Sequence, residues 1–139
     1  MYNTIIVPIE LTHSERIQPM LSAARTLASE NARIVLVSVV EDMPGYVASQ
    51  IPSGVLAHQE KEVRDRLETI AGETGFRTDV SVRTGKPARE IIAAAKENDA
   101  DLIVIASHRP GFGDFLIGST AADVVRHAPC SVHVVREIG

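Results

Sequence analysis

The chain has 139 residues, of which 45% are hydrophobic, 23% charged and 4% aromatic, and its formal net charge is −4. That length buries one proper core and is too short for two, so a single globular domain over residues 1–139 is expected and disorder is excluded. The acidic balance, the lack of any basic cluster and the scarcity of aromatic rings argue against a nucleic-acid surface.

The start of the chain lacks a basic segment followed by a long apolar one, so no signal peptide and no membrane insertion are expected. The single cysteine, Cys130, has no partner for an internal disulfide and fits a reducing compartment, which points to the cytoplasm. Residues 4–8 (TIIVP) read as a short apolar strand closed by Pro8, because proline cannot donate to a ladder. Glu10 follows at the carboxyl end of that strand. Thr12-His13-Ser14-Glu15 has the S/T-x-x-E form of a capping box. The helix expected after it carries Ile17, Met20, Leu21, Ala24, Leu27 and Ala28 as one apolar stripe.

Residues 33–40 (RIVLVSVV) predict a second buried strand, ending near Val39. Residues 41–54 hold two prolines and two glycines and read as a crossover loop. From about residue 55 to 75 the pattern is helical, with Leu56, Val63, Leu67, Ile70 and Ala71 inward and His58 facing water. Arg77–Thr84 alternates polar and apolar residues, which places it near a sheet edge. Pro87 sits in the first turn of the next helix, whose stripe is Ala88, Ile91, Ile92 and Ala95.

Residues 101–120 (DLIVIASHRPGFGDFLIGST) carry the chemistry. A β-branched run through Ile105 and Ala106 predicts a strand buried on both faces. It stops at Ser107-His108, a glycine-containing loop follows, and Gly118-Ser119-Thr120 opens a helix with Ala121, Val124, Val125 and Ala128 on one face. The first amides of a helix lack partners and carry the positive end of its dipole, so this strand–loop–helix start suits a phosphate. The competing reading is an ordinary helix start with Ser119 or Thr120 as N-cap. Residues 131–136 (SVHVVR) form the last strand.

The order β-α-β-α-β-α-β-α-β gives a doubly wound, open, five-stranded parallel sheet with helices on both faces, an α/β fold. In such sheets a ligand binds past the carboxyl ends of the strands where the strand order reverses. Pro8-Ile9-Glu10 and Ala106-Ser107-His108 place polar groups there.

The segments TIIVPIE, GKPAREI and IGSTAADVVRHAPCSVHVVR, in this order, resemble the universal stress proteins of the small single-domain kind, and the resemblance covers the whole chain. It implies strand order 3-2-1-4-5 in an adenine nucleotide alpha hydrolase-like sheet. Nucleotide-binding members carry G-x-x-G, nine residues, then G-[ST]. Here Ala106 and Arg109 stand in place of the first two glycines and the loop is one residue short, while Gly118-Ser119 is intact. This form is similar to the F/G-type subgroup, whose members bind nucleotide despite it. Gly111 and Gly113 offer the backbone freedom the missing glycines would have given. Arg109 either meets a phosphate or pairs with Asp114.

By resemblance the ligand is ATP, with ADP or AMP left open. Pro8, Ile9 and Glu10 border adenine and ribose, although Glu10 stands where the family usually has Asp. Val39 contacts adenine, Ile105, Ala106 and Ser107 line the floor, and His108 and Arg109 lead into the phosphate loop. Gly118, Ser119, Thr120 and Ala121 hold the phosphates chiefly through amides. No carboxylate cluster is dedicated to a cation, so Mg2+ is expected to be held by the phosphates. The resemblance also implies a homodimer through the last strand, from Ser131 to Arg136, with a tetramer as the larger alternative. It further implies regulation of a protein partner such as a membrane transporter or an enzyme.

The five histidines show no metal-ligand spacing, Cys130 reads as a small buried residue, and neither a G-x-S-x-G elbow nor a P-loop is present. Strand three ends in Arg83-Thr84-Gly85 rather than acidic residues, which rejects a phosphate-accepting receiver domain. The expectation is therefore a nucleotide-dependent regulatory module and not an enzyme, with at most weak ATP hydrolysis. The alternatives are a stress-associated interaction protein that binds no nucleotide and a slow ATP hydrolase.

Overall fold

The computed structural model describes residues 1–41, 45–52, 54–107 and 118–136. Its strands are β1 (Tyr2–Pro8), β2 (Ala28–Val40), β3 (Arg77–Thr84), β4 (Leu102–Ala106) and β5 (Ser131–Val135). They form one parallel sheet in the order β3-β2-β1-β4-β5. The helices are α1 (Ile17–Leu27), the single turn α2 (Gly45–Ala48), α3 (Val55–Ala71), α4 (Pro87–Glu97) and α5 (Ser119–His127).

The sheet buries apolar side chains on both faces, which is why β1, β2 and β4 read as continuous hydrophobic runs. Ile5, Val7, Ile34, Leu36, Leu102 and Val104 pack with Met20, Leu21 and Ala24 of α1 and Leu67 of α3. Ile6, Val35, Val37, Ile103 and Ile105 pack on the other face with Ile91, Ala94 and Ala95 of α4 and Ala121 and Val124 of α5. Alternate residues of one strand thus serve opposite layers.

At the amino-terminal end of the sheet Asp101 joins β4 to β1. Its carboxylate accepts the N–H of Asn3 at 2.9 Å and of Thr4 at 3.0 Å, and its own N–H donates to the Thr4 carbonyl at 3.0 Å. On the far side Arg83 of β3 donates to Glu90 at 2.9 Å and to both carboxylate oxygens of Glu97 at 2.8 and 3.0 Å, fastening the edge strand to α4. β3 is indeed an edge strand.

Several expectations need correction. The Thr12–Glu15 capping box does not form. Leu11–Arg16 is a 3-10 helix broken at His13, where φ is −122° and ψ 57°, so α1 begins only at Ile17, with Arg16 as N-cap and no side-chain cap. β2 begins at Ala28 rather than Arg33, which takes Ala28 out of the α1 stripe. Leu56 on α3 and Val125 on α5 are exposed, because each of these helices turns a narrower face to the sheet than its apolar pattern allows. The 41–54 crossover contains the turn α2.

Candidate functional site

The central strands part company at their carboxyl ends. The β1–β4 ladder runs through Ile5↔Leu102 and Ile6↔Ile103. Beyond it β1 stays with β2, pairing Pro8 with Val37, and the Ile9 N–H donates to the Val37 carbonyl at 2.7 Å. β4 stays with β5 as far as Ala106↔Val135, and the Ser107 N–H donates to the Val135 carbonyl at 2.9 Å. A fork opens between β1, which stays paired to β2, and β4, which stays paired to β5. This is the point of strand-order reversal, where open α/β sheets hold ligands.

A cavity of about 430 Å³ fills the fork. It lies within the usual size of small-molecule sites, about 300–1,000 Å³. Pro8, Ile9, Val39, Ile105 and Ala106 give it an apolar base, and Ser119, Thr120 and Ala121 bring in the start of α5. Glu10 and, from the 3-10 turn, Leu11, Thr12, His13 and Arg16 complete this lining and carry its charged groups.

Of the residues expected at the site, Pro8, Ile9, Glu10, Val39, Ile105, Ala106, Ser119, Thr120 and Ala121 are brought together around this one cavity. Ser107 is buried beside it, with its backbone engaged by β5. Gly118 stands immediately before the helix as N-cap. His108 and Arg109 lie outside the described residues, as do Gly111, Phe112, Gly113, Asp114 and Phe115. The sequence reading missed the wall from Leu11 to Arg16, together with Ser38, Val40, Glu41, Met20, Val63, Pro87 and Ile91. The irregular turn left no periodic signal, although the polar cluster directly after Pro8 was visible.

The start of α5 explains Gly118. With φ at 83° and ψ at 152° it occupies a region of backbone space essentially reserved for glycine. The N-cap is Gly118, so neither Ser119 nor Thr120 takes that position, and among the described residues no side chain caps the helix. Ser119, Thr120 and Ala121 instead carry first-turn amides, which an α-helix cannot satisfy internally, at the cavity wall. The Ala122 N–H is the first to bond within the helix, to the Gly118 carbonyl at 3.0 Å.

Val39 offers a second set of backbone groups. The Val37 carbonyl points towards β1, where it accepts the Ile9 N–H. Backbone direction alternates along a strand, so Val39 repeats that orientation two residues later. It lies past the last β1 partner, which turns its N–H and C=O towards the cavity it lines. A donor and an acceptor side by side suit the polar edge of a planar heterocycle.

The residues after Pro8 bring charge to the cavity. His13 lies 3.6 Å from Glu10 and 3.5 Å from Glu15, and Arg16 reaches the same two carboxylates at 3.9 and 4.0 Å. Backbone hydrogen bonding, helped by His13 and Arg16 against the cost of desolvation, holds the Glu15 carboxyl below its ordinary range. Among the described residues no group of three or more His, Cys, Asp or Glu side chains is placed to hold a metal ion. Burial, and then the charge of Asp101, push the Cys130 thiol up, so it stays protonated at neutral pH. Among the described residues no helix is long and apolar enough to cross a membrane.

Residues 1–136 match the model of the universal stress protein family. The chain is 32% identical over 142 residues to Universal stress protein G of Salmonella typhimurium, an alignment that covers 98% of this chain and 100% of that protein. Among solved structures it superposes with a TM-score of 0.70 on a universal stress protein in complex with cAMP, at 20% identity over 96% of this chain and 97% of the other. It also superposes with a TM-score of 0.62 on the universal stress protein from Archaeoglobus fulgidus in complex with dAMP, at 21% identity over 96% of this chain and 97% of the other.

Proposed function

The chain belongs to the universal stress protein family, and from that premise we propose that it is a cytoplasmic, nucleotide-dependent regulatory module of the stress response whose ligand is ATP. The observation that carries the reading is the fork between β1 and β4, where apolar side chains, the Val39 backbone edge and the glycine-led start of α5 meet in one cavity. The cAMP and dAMP held by two structural relatives have adenine in common.

Adenine presents an acceptor nitrogen next to an amino donor, which complements the N–H and C=O of Val39. Guanine reverses that order and would set donor against donor. The first-turn amides of α5 suit phosphate oxygens, and glycine at 118 lets those oxygens approach the backbone. With no carboxylate cluster to hold it among the described residues, Mg2+ would be carried by the phosphates. The site is assigned no catalysis beyond weak ATP hydrolysis. The module acts as a homodimer through the strand that includes β5, and its nucleotide-loaded form regulates a protein partner such as a membrane transporter or an enzyme.

Calorimetric titration with ATP, ADP, AMP and GTP, each with Mg2+, tests the site. The adenine nucleotides should bind at one per chain and GTP at least about tenfold more weakly, about 1.4 kcal/mol for the reversed polar edge. Equal affinity for GTP would remove the Val39 reading.

A further inference from the structure

The cavity in the fork draws its lining from both layers of the fold. Val39, Ile91, Ile105 and Ala121 belong to the layer formed with α4 and α5. Leu11, Met20 and Val63 belong to the layer formed with α1 and α3. The Val39 edge and the start of α5 engage the nucleotide in the proposed function, which leaves Met20 and Val63 without a role.

Ser38 stands on the α1/α3 side. Ile34 and Leu36 pack there, and alternation along β2 puts Ser38 on the same face. Val82, its partner on β3, packs against that layer too. Ser38 is only 7% exposed, and among the described residues its hydroxyl makes no hydrogen bond. No fully enclosed polar side-chain atom among the described residues lacks a partner, so this hydroxyl is reached from open space. The open space that Ser38 lines is the cavity. Around it the lining is apolar and adaptable: Met20 has an unbranched, polarisable thioether, and Val63 is half-buried.

The purine edge decides what reaches this side. In the proposed function the Val39 N–H meets a ring nitrogen and the Val39 carbonyl accepts one hydrogen of the amino group. The second amino hydrogen is not used by Val39. The residues on either side of Val39 in β2 are Ser38 and Val40, and both turn their side chains to the α1/α3 face. A group in place of that second hydrogen meets a lining of Ser38, Val40, Met20 and Val63.

We propose that the α1/α3 side of the cavity is a subsite for an apolar group on the adenine amino nitrogen, so that the chain takes adenine nucleotides alkylated once at that nitrogen. The inference rests on the Val39 reading of the proposed function. One alkyl group leaves a hydrogen for the Val39 carbonyl, and two leave none.

Calorimetric titration of the full chain with three Mg2+ nucleotides tests the subsite: ATP, ATP benzylated once on the amino nitrogen, and ATP dimethylated there. The benzyl nucleotide should bind at least as tightly as ATP, gaining up to about tenfold from the apolar area it buries. The dimethyl nucleotide leaves the Val39 carbonyl without a donor and should bind at least about tenfold more weakly than ATP. Val63→Phe fills the subsite from α3 and should lower the ratio of benzyl-ATP to ATP affinity at least about tenfold. Thermal melts show whether that variant is folded, and the wild-type comparison decides without it. A benzyl nucleotide tenfold weaker than ATP in the wild type, or an unchanged ratio in folded Val63→Phe, overturns the subsite alone. A dimethyl nucleotide as tight as ATP overturns the Val39 anchoring and the subsite with it. No binding by any of the three overturns the nucleotide reading itself.

Discussion

Substituting Gly118 by alanine is the sharpest perturbation of the site. The residue precedes α5 with φ at 83° and ψ at 152°, where a Cβ is strained whatever space surrounds it. Holding a non-glycine residue there costs about 1–3 kcal/mol. The chain can accept that strain or relieve it by rotating the first turn of α5, which would swing the amides of Ser119, Thr120 and Ala121 off the cavity. If relief comes at the expense of ligand contacts, ATP affinity falls by about 5- to 150-fold, the same energy expressed as a dissociation constant. Ser119→Ala and Thr120→Ala keep the amides and remove only hydroxyls, so each should cost no more than about 1.5 kcal/mol, or roughly tenfold. Calorimetry on the three variants, with thermal melts alongside to read the strain, separates these cases. Binding by Gly118→Ala within twofold of wild type, or a larger loss in either hydroxyl variant than in Gly118→Ala, would refute the assignment of the phosphates to backbone amides.

Other predictions concern the frame that holds the site. Asp101→Ala leaves the N–H groups of Asn3 and Thr4 without their carboxylate acceptor and should cost about 1–3 kcal/mol in urea unfolding, with no change in the slope; an unchanged midpoint would show that the β1–β4 junction does not depend on it. Hydrogen bonding from Arg83, with its charge, lowers the Glu97 carboxyl below its ordinary value. A lowered carboxyl contributes stability that is present above its unfolded value, near about 4.3, and lost as pH falls through the lower folded one. Stability should therefore fall below about pH 4.5 less steeply in Glu97→Gln than in wild type, and identical pH profiles would contradict the pairing. Cys130 is half-buried rather than buried, and its thiol, pushed up by desolvation and then by Asp101, should react with iodoacetamide at pH 7.5 more slowly than a free thiol; equal rates would argue against that shielding.

The fold was legible because two periods alternate cleanly along the chain. Ile5, Ile6 and Val7 in one run, and Leu102 to Ile105 in another, could only be strands covered on both faces, and that required helices above and below the sheet. Legibility failed where local chemistry had rivals. Thr12 and Glu15 have the spacing of a capping box, but the backbone at His13 breaks the turn and gives Glu15 to His13 and Arg16 instead. Ala28 to Asn31 carried no strand signal, yet Ser29 bonds to Asn3 and the strand is drawn out along its neighbour. Val125 and Leu56 fit the helical stripes, but a stripe records which residues lie near a face and not how far the sheet extends beneath it.

The site divides in the same way. Pro8, Ile9, Glu10, Ile105 and Ala106 were readable because a strand's end can be located from its own residues, and the topology then says which ends converge. The wall from Leu11 to Arg16 was not readable, because its place at the cavity depends on an irregular turn whose angles no periodic pattern encodes. Asp101 was passed over for a similar reason: its partners lie about a hundred residues away in sequence and are backbone groups, which leave no trace in side-chain identity.

The most direct test of the account is chromatography of whatever is released when the freshly purified chain is denatured in acid. An adenine nucleotide close to one per chain, absent from Gly118→Val prepared in parallel, is the predicted result. No nucleotide released, followed by no heat when MgATP is titrated into the same preparation, would contradict the claim that the fork between β1 and β4 is a nucleotide site.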